Sequence, residues 1–215
     1  MRTADSGFGL LDKAARCLLA SRLMRIVGGM AGGRLLSVPK GLAVRPTPDL
    51  VKQAVFNSLG DRVAGAQVLE VFAGSGALGL ECLSRGALRV VAVEKAGRHA
   101  AMIRRNLEAT GLPAGRFELR TQDAFAAIAQ LRAADETFDL ILADPPFGEK
   151  NVGRRSQSVS QRLLDDADLP HLIASGGLLV LGHASRDTLT LSAPWTDLKV
   201  LRHGDSVMRF LRPTD

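Results

Sequence analysis

The sequence predicts an α/β fold in which a parallel sheet carries helices on both faces. Short apolar runs rich in β-branched residues alternate with segments whose apolar residues recur three and four positions apart. This alternation is typical of strands and helices that follow one another along the chain. A glycine-rich turn joins the first run to the helical segment after it, as in doubly wound folds at their ligand-binding edge. The sequence contains no internal repeats and no low-complexity tracts.

Five apolar runs are predicted as strands, and four periodic segments are predicted as helices. The strands cover residues 67–72, 89–94, 117–121, 138–143 and 177–183. The helices cover residues 77–85, 96–110, 124–133 and 161–174. Beyond residue 185, two apolar segments at 198–201 and 206–211 flank a His-Gly-Asp turn, which predicts an antiparallel hairpin at the sheet edge.

The region upstream of the sheet is predicted as a glycine-rich arm followed by a helix. The arm, residues 24–39, contains four glycines and indicates a short β hairpin or an extended segment. A helix start follows, where Thr47 can cap, Pro48 suits the first helical position and Asp49 complements the helix dipole.

Three parts of the chain follow from this pattern. Residues 1–23 are expected to be a disordered N-terminal extension, with Met24 as a second possible translation start. Residues 24–60 form the basic arm and helix, and residues 61–215 form the main domain.

Composition indicates an ordinary soluble globular chain with an uneven charge distribution. Of its 215 residues, 46% are hydrophobic and 23% are charged, and the net charge is +6. The first 60 residues hold nine Lys or Arg and three Asp or Glu, so they account for the whole surplus. Such a basic region indicates either a polyanionic partner or a merely solvated surface.

Cysteine and histidine usage excludes several classes of protein. Two cysteines and four scattered histidines form neither a disulfide framework nor a standard metal-ligand spacing, so we expect a reduced, cytoplasmic setting without a metal. No apolar run approaches the roughly 20 residues of a membrane span. We expect a monomer that does not contact a membrane.

The glycine-rich turn indicates a nucleoside cofactor. Gly74, Gly76 and Gly79 satisfy G-x-G-x-x-G directly after an apolar run. Glu94 ends the next predicted strand, where a carboxylate can accept hydrogen bonds from both ribose hydroxyls. This pattern alone leaves NAD and S-adenosylmethionine open. The candidate cofactor-binding residues at the ends of the first three strands are Glu70, Phe72, Ala73, Gly74, Ser75, Gly76, Glu94, Lys95, Asp123 and Ala124.

Two acidic residues in this set carry alternative interpretations. Glu70 lies inside a predicted strand, where a carboxylate is costly unless it has a polar or cationic partner. The methionyl ammonium of S-adenosylmethionine would supply that partner, whereas a pyrophosphate would be repelled; alternatively, Glu70 is a structural acid bonded to backbone amides. Asp123 either accepts from an adenine amino group or caps the helix that begins at Ala124.

The segment Asp144-Pro145-Pro146-Phe147 follows the fourth predicted strand at the same edge of the sheet. The prolines fix an extended backbone, so the Asp144 carboxylate and the Pro145 carbonyl present acceptors in a stiff geometry. Phe147 adds a flat apolar face. Acceptors beside an aromatic face suit a planar group that carries an NH2, whereas the alternative is a rigid turn with a buried Phe.

A nucleobase amino group is such a planar group, and its nitrogen is a poor nucleophile because the lone pair is delocalised into the ring. Hydrogen bonds to Asp144 and to the Pro145 carbonyl would favour a pyramidal nitrogen, and stacking on Phe147 would align its lone pair with a sulfonium methyl. Because a paired base cannot reach such a pocket, the substrate nucleotide must be flipped out or unpaired.

Five segments together resemble the RsmD-type 16S ribosomal RNA guanine-N2 methyltransferases of bacteria. They are Met24-Arg25-Ile26-Val27-Gly28-Gly29, Arg45-Pro46-Thr47, Phe56-Asn57-Ser58-Leu59, the run from Phe72 to Glu81, and Asp144-Pro145-Pro146-Phe147. The resemblance covers the chain from about residue 24 to the C-terminus. Many amino-methyltransferases share the glycine and Asp-Pro-Pro-Phe elements, whereas the arm with Arg45-Pro46-Thr47 and Phe56-Asn57-Ser58-Leu59 discriminates more sharply.

The resemblance implies a class I S-adenosylmethionine-dependent methyltransferase fold, Rossmann-like with a seven-stranded sheet, and methylation of one guanine N2 in 16S RNA or the small ribosomal particle. It implies base recognition by Asp144 and Phe147 and ribose binding by Glu94. The family usually has Asp where this chain has Glu70, so the contact at the methionyl end is expected to be longer or water-mediated. The candidate RNA-binding residues lie in the arm, the first helix and a basic loop at 148–162: Arg25, Arg34, Arg45, Lys52, Arg154 and Arg155.

Four other classes are weighed against this one. A DNA adenine-N6 methyltransferase would need target-recognition sequence for which 215 residues leave little room. A glutamine-directed protein methyltransferase would carry Asn in place of Asp144. An NAD oxidoreductase is opposed by Glu70 and by the lack of any tyrosine. A non-catalytic RNA-binding module would interleave aromatic and basic residues, yet only 4% of residues are aromatic.

Overall fold

The computed structural model describes residues 24–38, 48–148, 150–151 and 154–214. The predicted extension at 1–23, together with Thr47 and Arg45, lies outside the described residues. Two short strands pair as a hairpin near the start, β1 (Met24–Arg25) and β2 (Leu35–Leu36). The main sheet of the described chain has seven strands: β3 (Gln67–Val71), β4 (Arg89–Val93), β5 (Phe117–Arg120), β6 (Phe138–Ala143), β7 (Ile173–Ala184), β8 (Trp195–His203) and β9 (Ser206–Pro213).

The strand order of the main sheet is β5-β4-β3-β6-β7-β9-β8. Strands β3 to β7 pair in parallel, and β9 joins β7 and β8 by antiparallel pairing, which confirms the predicted hairpin at the edge. The chain moves outward from β3 to β5 and then returns to β6 on the other side of β3. A doubly wound sheet binds its ligands at the point where the order reverses, which here lies between β3 and β6.

Five helices are described: α1 (Asp49–Leu59), α2 (Ala77–Ser84), α3 (Gly97–Thr110), α4 (Ala124–Ala133) and α5 (Val159–Leu164). Alternate residues of β3 and β6 face opposite sides, so Val68 and Leu140 pack with α1 and α2, while Leu69 and Ile141 pack with α4 and α5. None of the described helices is long and apolar enough to cross a membrane.

The helix predicted at 161–174 is wrong in its extent. Helix α5 ends at Leu164, a 3₁₀ turn covers Leu169–Leu172, and β7 already begins at Ile173. The Asp166 carboxylate accepts from the backbone N–H groups of the two residues before Pro170, which stabilises a turn in place of a further helical turn. Buried leucines from α5 and from the 3₁₀ turn together reproduce a helical spacing without forming one helix.

The start of α1 also differs from its prediction by one position. Pro48 is the residue before the helix, with an extended backbone (φ −57°, ψ 148°), and the first helical residue is Asp49. The acidic first turn is as expected, because Asp49 complements the positive end of the helix dipole.

The hairpin arm is fixed to the main domain by buried polar contacts. Val27 N–H donates to the Glu81 carboxylate at 2.7 Å, and Ala31 N–H donates to the Ser84 hydroxyl at 2.9 Å. Asn106 on α3 exchanges two hydrogen bonds with the backbone of Ser37 and donates to the Ser75 carbonyl at 2.8 Å. The arm is therefore tied directly to the glycine-rich turn.

Candidate active site

Strands β3, β4 and β6 end side by side at the carboxyl edge of the sheet. Val71, the last residue of β3, pairs with Val93 at the end of β4 and with Ala143 at the end of β6. The three strands therefore end level, and the residues that follow them lie side by side. These residues begin the glycine-rich turn, the Glu94 segment and the Asp144 segment, which sequence analysis identified separately.

The glycine-rich turn leaves β3 in a left-handed conformation and opens α2. Phe72 has φ +59° although it is not glycine, and Gly74 and Gly76 have φ of +59° and +76°. Positive φ in a non-glycine residue is uncommon and concentrates at functional sites. A Cβ on Gly76 would lie 3.0 Å from the Ile103 side chain on α3, a tight contact that adds to the preference for glycine set by the positive φ. The N–H groups at the start of α2 favour an electron-rich ligand group.

Glu94 is held beside this turn by two backbone amides. Its Oε2 accepts from Gly74 N–H at 2.8 Å, and its Oε1 accepts from Ala96 N–H at 2.8 Å. The residue is 9% exposed, so its carboxylate lies just below the protein surface. Each carboxylate oxygen has two lone pairs, which leaves acceptor capacity for a pair of hydroxyl groups.

Glu70 lies beneath the turn and is almost fully buried there. The residue is 2% exposed, and its Oε1 accepts from Leu78 N–H at 3.2 Å. A Cβ on Gly79 would lie 2.6 Å from its Oε2, which has no hydrogen-bond partner. Burial raises the pKa of Glu70 to about 8. The bond from Leu78 N–H is the kind expected of a structural acid, while the unpartnered Oε2 keeps acceptor capacity, so contact with the methionyl end of a cofactor stays a prediction.

Asp123 caps α4, so the capping interpretation of this residue is confirmed. Its carboxylate accepts from Phe125 N–H at 3.0 Å and forms an ion pair with Lys95 at 3.2 Å. The hydrogen bond to Lys95 holds the pKa of Asp123 below its usual range. Asp123, Lys95 and Ala124 all lie where β4 and β5 reach the site edge, so they remain candidates for contact with a cofactor.

The Asp144 segment follows β6 at this edge, and the Asp144 carboxylate lies against Gly182 of β7. Asp144 is half-buried, Pro145 is buried and Phe147 is half-buried, so a carboxylate and an aromatic side chain both reach the surface. A methyl group on Gly182 of β7 would overlap the Asp144 carboxylate. Gly182 therefore provides the space that the carboxylate occupies, and this position was missed by sequence reasoning. A glycine inside an otherwise apolar strand was the available signal.

The predicted basic residues divide into three groups. Arg25, Arg34, Arg154 and Arg155 are exposed, and Arg25 pairs with Asp49 at 2.9 Å. Arg45 lies outside the described residues. Lys52 is wrong as a candidate for RNA contact, because its side chain is fully buried.

The buried Lys52 instead fixes the start of the arm to α1. Its ammonium donates to the Arg25 carbonyl and pairs with Asp49 at 3.2 Å. Burial lowers the pKa of Lys52. The periodicity of α1 placed this residue on a polar face, whereas the arm folds over that face and covers it.

No cluster of His, Cys, Asp and Glu within the described ranges could hold a metal ion. What the site does present is a rigid carboxylate and an aromatic face beside a glycine-rich turn and a second, amide-bound carboxylate. Together with the strand order, this arrangement defines a class I, Rossmann-like methyltransferase fold.

Comparison with known proteins places the chain within a family of that class. The family model described as conserved hypothetical protein 95 matches residues 24–212. The Bacillus subtilis protein YlbH is 31% identical over 160 residues, which are 74% of this chain and 82% of that protein. The chain belongs to this family, and the resemblance to RsmD-type enzymes is confirmed.

Two further relatives agree with this assignment. The Escherichia coli K12 protein named ribosomal RNA small subunit methyltransferase D is 38% identical over 124 residues, which are 58% of this chain and 60% of that protein. A solved structure of a hypothetical protein from Thermus thermophilus superposes with a TM-score of 0.72 at 27% identity, over 88% of this chain and 99% of that chain.

Proposed function

We propose that this protein transfers a methyl group from S-adenosylmethionine to the exocyclic N2 of a guanine in 16S ribosomal RNA. The observation that carries the proposal is the level ending of β3, β4 and β6, which brings the glycine-rich turn, Glu94 and the Asp144 segment to one edge. The name of the Escherichia coli relative, a small subunit ribosomal RNA methyltransferase, supports this class of substrate.

The glycine-rich turn with Glu94, Lys95 and Asp123, which we call the cofactor edge, suits a nucleoside cofactor. Membership of the methyltransferase family supports S-adenosylmethionine as that cofactor. Glu94 accepts from Gly74 N–H, which holds its carboxylate beside the turn. That carboxylate has lone pairs for two ribose hydroxyls, and the Asp123 carboxylate, next to Ala124, would be available to accept from an adenine amino group. The cofactor, when bound, supplies an electrophilic methyl group.

The Asp144 segment, which we call the substrate edge, would orient and activate an amino group. The Asp144 carboxylate and the Pro145 carbonyl would accept its two hydrogens, which favours a pyramidal nitrogen with an available lone pair. The Phe147 ring would hold the base plane against rotation, so that the lone pair points at the methyl carbon. After transfer the nitrogen loses one proton, either to Asp144 or to water.

The charge distribution supports an RNA partner. Arg25 and Arg34 are exposed on the arm, which Asn106 ties to the glycine-rich turn. Basic residues placed beside the reaction site would bind phosphates close to the target base, and phosphate contacts position a nucleic acid without reading its sequence. Stacking on Phe147 requires that base to be flipped out or unpaired.

The test is methyl incorporation into RNA from a strain that lacks the gene. Purified protein is incubated with labelled S-adenosylmethionine and either 16S RNA or small-subunit particles from that strain. We expect one methyl group per RNA, and none with RNA from the parent strain because the site is already filled. Absence of incorporation into both forms of deletion-strain RNA contradicts the proposal.

A further inference from the structure

A basic groove leads away from the Phe147 side of the site. A cavity of about 900 Å³ is lined by Phe147, Lys150 and Arg154, among other residues of the same loop. A second cavity of about 520 Å³ shares Lys150 and Arg154 and extends to Arg186, which follows β7. We call the two together the basic groove. The far wall of the groove is formed by Arg186, Thr188 and Thr190. The sequence predicts no function for these residues.

The groove is lined by more cations than carboxylates. Lys150, Arg154, Arg155 and Arg186 line it, and no Asp or Glu of the described chain does so. Arg155 pairs with Asp165 at 2.5 Å, whereas no described carboxylate forms an ion pair with the other three cations. Cations held close together repel one another, so a bound polyanion would stabilise this arrangement.

Two side-chain amides hold the segment that forms the far wall of the groove. Asn151 accepts from Thr188 N–H at 2.8 Å and donates to the Thr188 carbonyl at 2.9 Å. Gln161 accepts from Thr190 N–H at 2.8 Å and donates to the Thr190 carbonyl at 3.0 Å. Each amide thus pairs both backbone groups of its threonine, as a neighbouring strand would. The segment that carries Arg186 is therefore held in place against the basic loop.

The same wall is packed against the loop that carries the proposed reaction. A Cβ on Gly148, the residue after Phe147, would lie 2.7 Å from Oδ2 of Asp187 and 2.5 Å from Cβ of Ser158. Gly148 thus lets the Phe147 loop lie directly on the segment after β7. Arg186 is exposed, while its neighbour Asp187 is buried behind the groove.

We propose that the basic groove binds the sugar–phosphate backbone next to the target base, and that Arg186 contacts a phosphate there. The proposal rests on the proposed function, because it takes the ligand of the groove to be the RNA strand whose base stacks on Phe147. An unpaired strand that leaves Phe147 meets Lys150 and Arg154 first and Arg186 next. Thr188 and Thr190 add hydroxyl groups along the same wall, and these can donate to phosphate oxygens.

The test measures affinity for deletion-strain 16S RNA as a function of salt for Arg186→Ala, Arg154→Ala and the double variant. A single-stranded contact contributes about 0.7 to the slope of log K against log salt, so we expect that decrease for each phosphate contact removed. Arg186→Lys retains the charge and is expected to retain the slope. Affinity for S-adenosylhomocysteine stays unchanged in all variants, because none of these residues lines the cofactor edge.

Arg132→Ala is the matched control. Arg132 is half-buried and pairs with Asp135 near the C-terminal end of α4, which starts at the site edge and therefore ends at the opposite edge of the sheet. The proposal is overturned if Arg186→Ala keeps the slope of the unmodified protein, or if Arg132→Ala loses as much slope as Arg186→Ala. If either result is found while the unmodified protein still incorporates methyl groups, the groove proposal fails and the proposed function stands. Absence of incorporation by the unmodified protein contradicts the proposed function.

Discussion

The charged groups of the cofactor edge and of the substrate edge are paired in different ways. At the cofactor edge, the Glu94 carboxylate accepts from backbone N–H groups of the segments around it, and Glu70 does so below the turn. Beside the substrate edge, Lys150, Arg154 and Arg186 line the basic groove. No carboxylate of the described chain lines this groove. The carboxylates of the cofactor edge bind backbone N–H groups of the chain itself, whereas the cations of the basic groove face solvent.

This difference indicates a division of labour between shape and charge. Backbone amides and positive-φ residues hold the turn at one geometry, which suits a small ligand of fixed shape. Exposed arginines and lysines suit a large, flexible polyanion whose phosphates they attract at a distance. Changes at one edge should therefore leave binding at the other edge unchanged, and the predictions below test that separation.

Asp144→Ala is expected to have the largest effect. Loss of a hydrogen-bond acceptor that acts in the transition state costs about 10²- to 10³-fold in rate, because the Pro145 carbonyl alone would then accept from the amino group. Affinities for S-adenosylhomocysteine and for RNA should remain close to those of the unmodified protein. Single-turnover kinetics with saturating cofactor measures the rate, and a rate within a few-fold of normal contradicts the role of Asp144.

Gly182→Ala should lower the rate without any change in a reacting residue. The new methyl group would overlap the Asp144 carboxylate and displace it, and a misplacement of about 1 Å can cost about 10²-fold. Gly115→Ala is the control, because a Cβ there meets no atom within 4 Å. Equal rates for the two variants, with both folded by circular dichroism, would show that Gly182 does not position Asp144.

The sequence located most of this arrangement, and its misses have physical causes. The strands, the turn and the Asp144 segment follow local patterns of apolar residues, glycine and proline, so they were predictable. Gly182 was not, because its role depends on the pairing of β7 with distant elements. Lys52 was misassigned for a similar reason, since only the folded arm shows that α1 is covered on that face.

Glu94→Ala should weaken the cofactor edge alone. Hydrogen bonds to a charged group contribute about 1.5–3 kcal/mol, so S-adenosylhomocysteine should bind about 10- to 100-fold more weakly by isothermal titration calorimetry. RNA affinity should be unchanged. Glu108→Ala removes an exposed carboxylate from α3 and serves as the control. An unaltered affinity in Glu94→Ala excludes this residue from the cofactor site.

Glu70→Gln should change stability with a defined dependence on pH. The pKa of Glu70 is raised to about 8 in the folded chain, against about 4.3 in unfolded peptides. Between these values only the folded state holds the proton, so the contribution of Glu70 to stability is present at low pH and is lost as the pH rises toward 8. The melting temperature of Glu70→Gln should therefore gain on that of the unmodified protein between pH 5 and pH 8. A constant difference across this range contradicts the assignment.

The most direct test of the central claim is the identity of the methylated nucleoside. Deletion-strain 16S RNA, labelled by the unmodified protein and in parallel by Asp144→Ala, is digested to nucleosides and analysed by mass spectrometry. The account predicts N2-methylguanosine from the unmodified protein and none from Asp144→Ala. A label on adenine N6, on a ring nitrogen or on ribose, or an equal yield of N2-methylguanosine from Asp144→Ala, would contradict it.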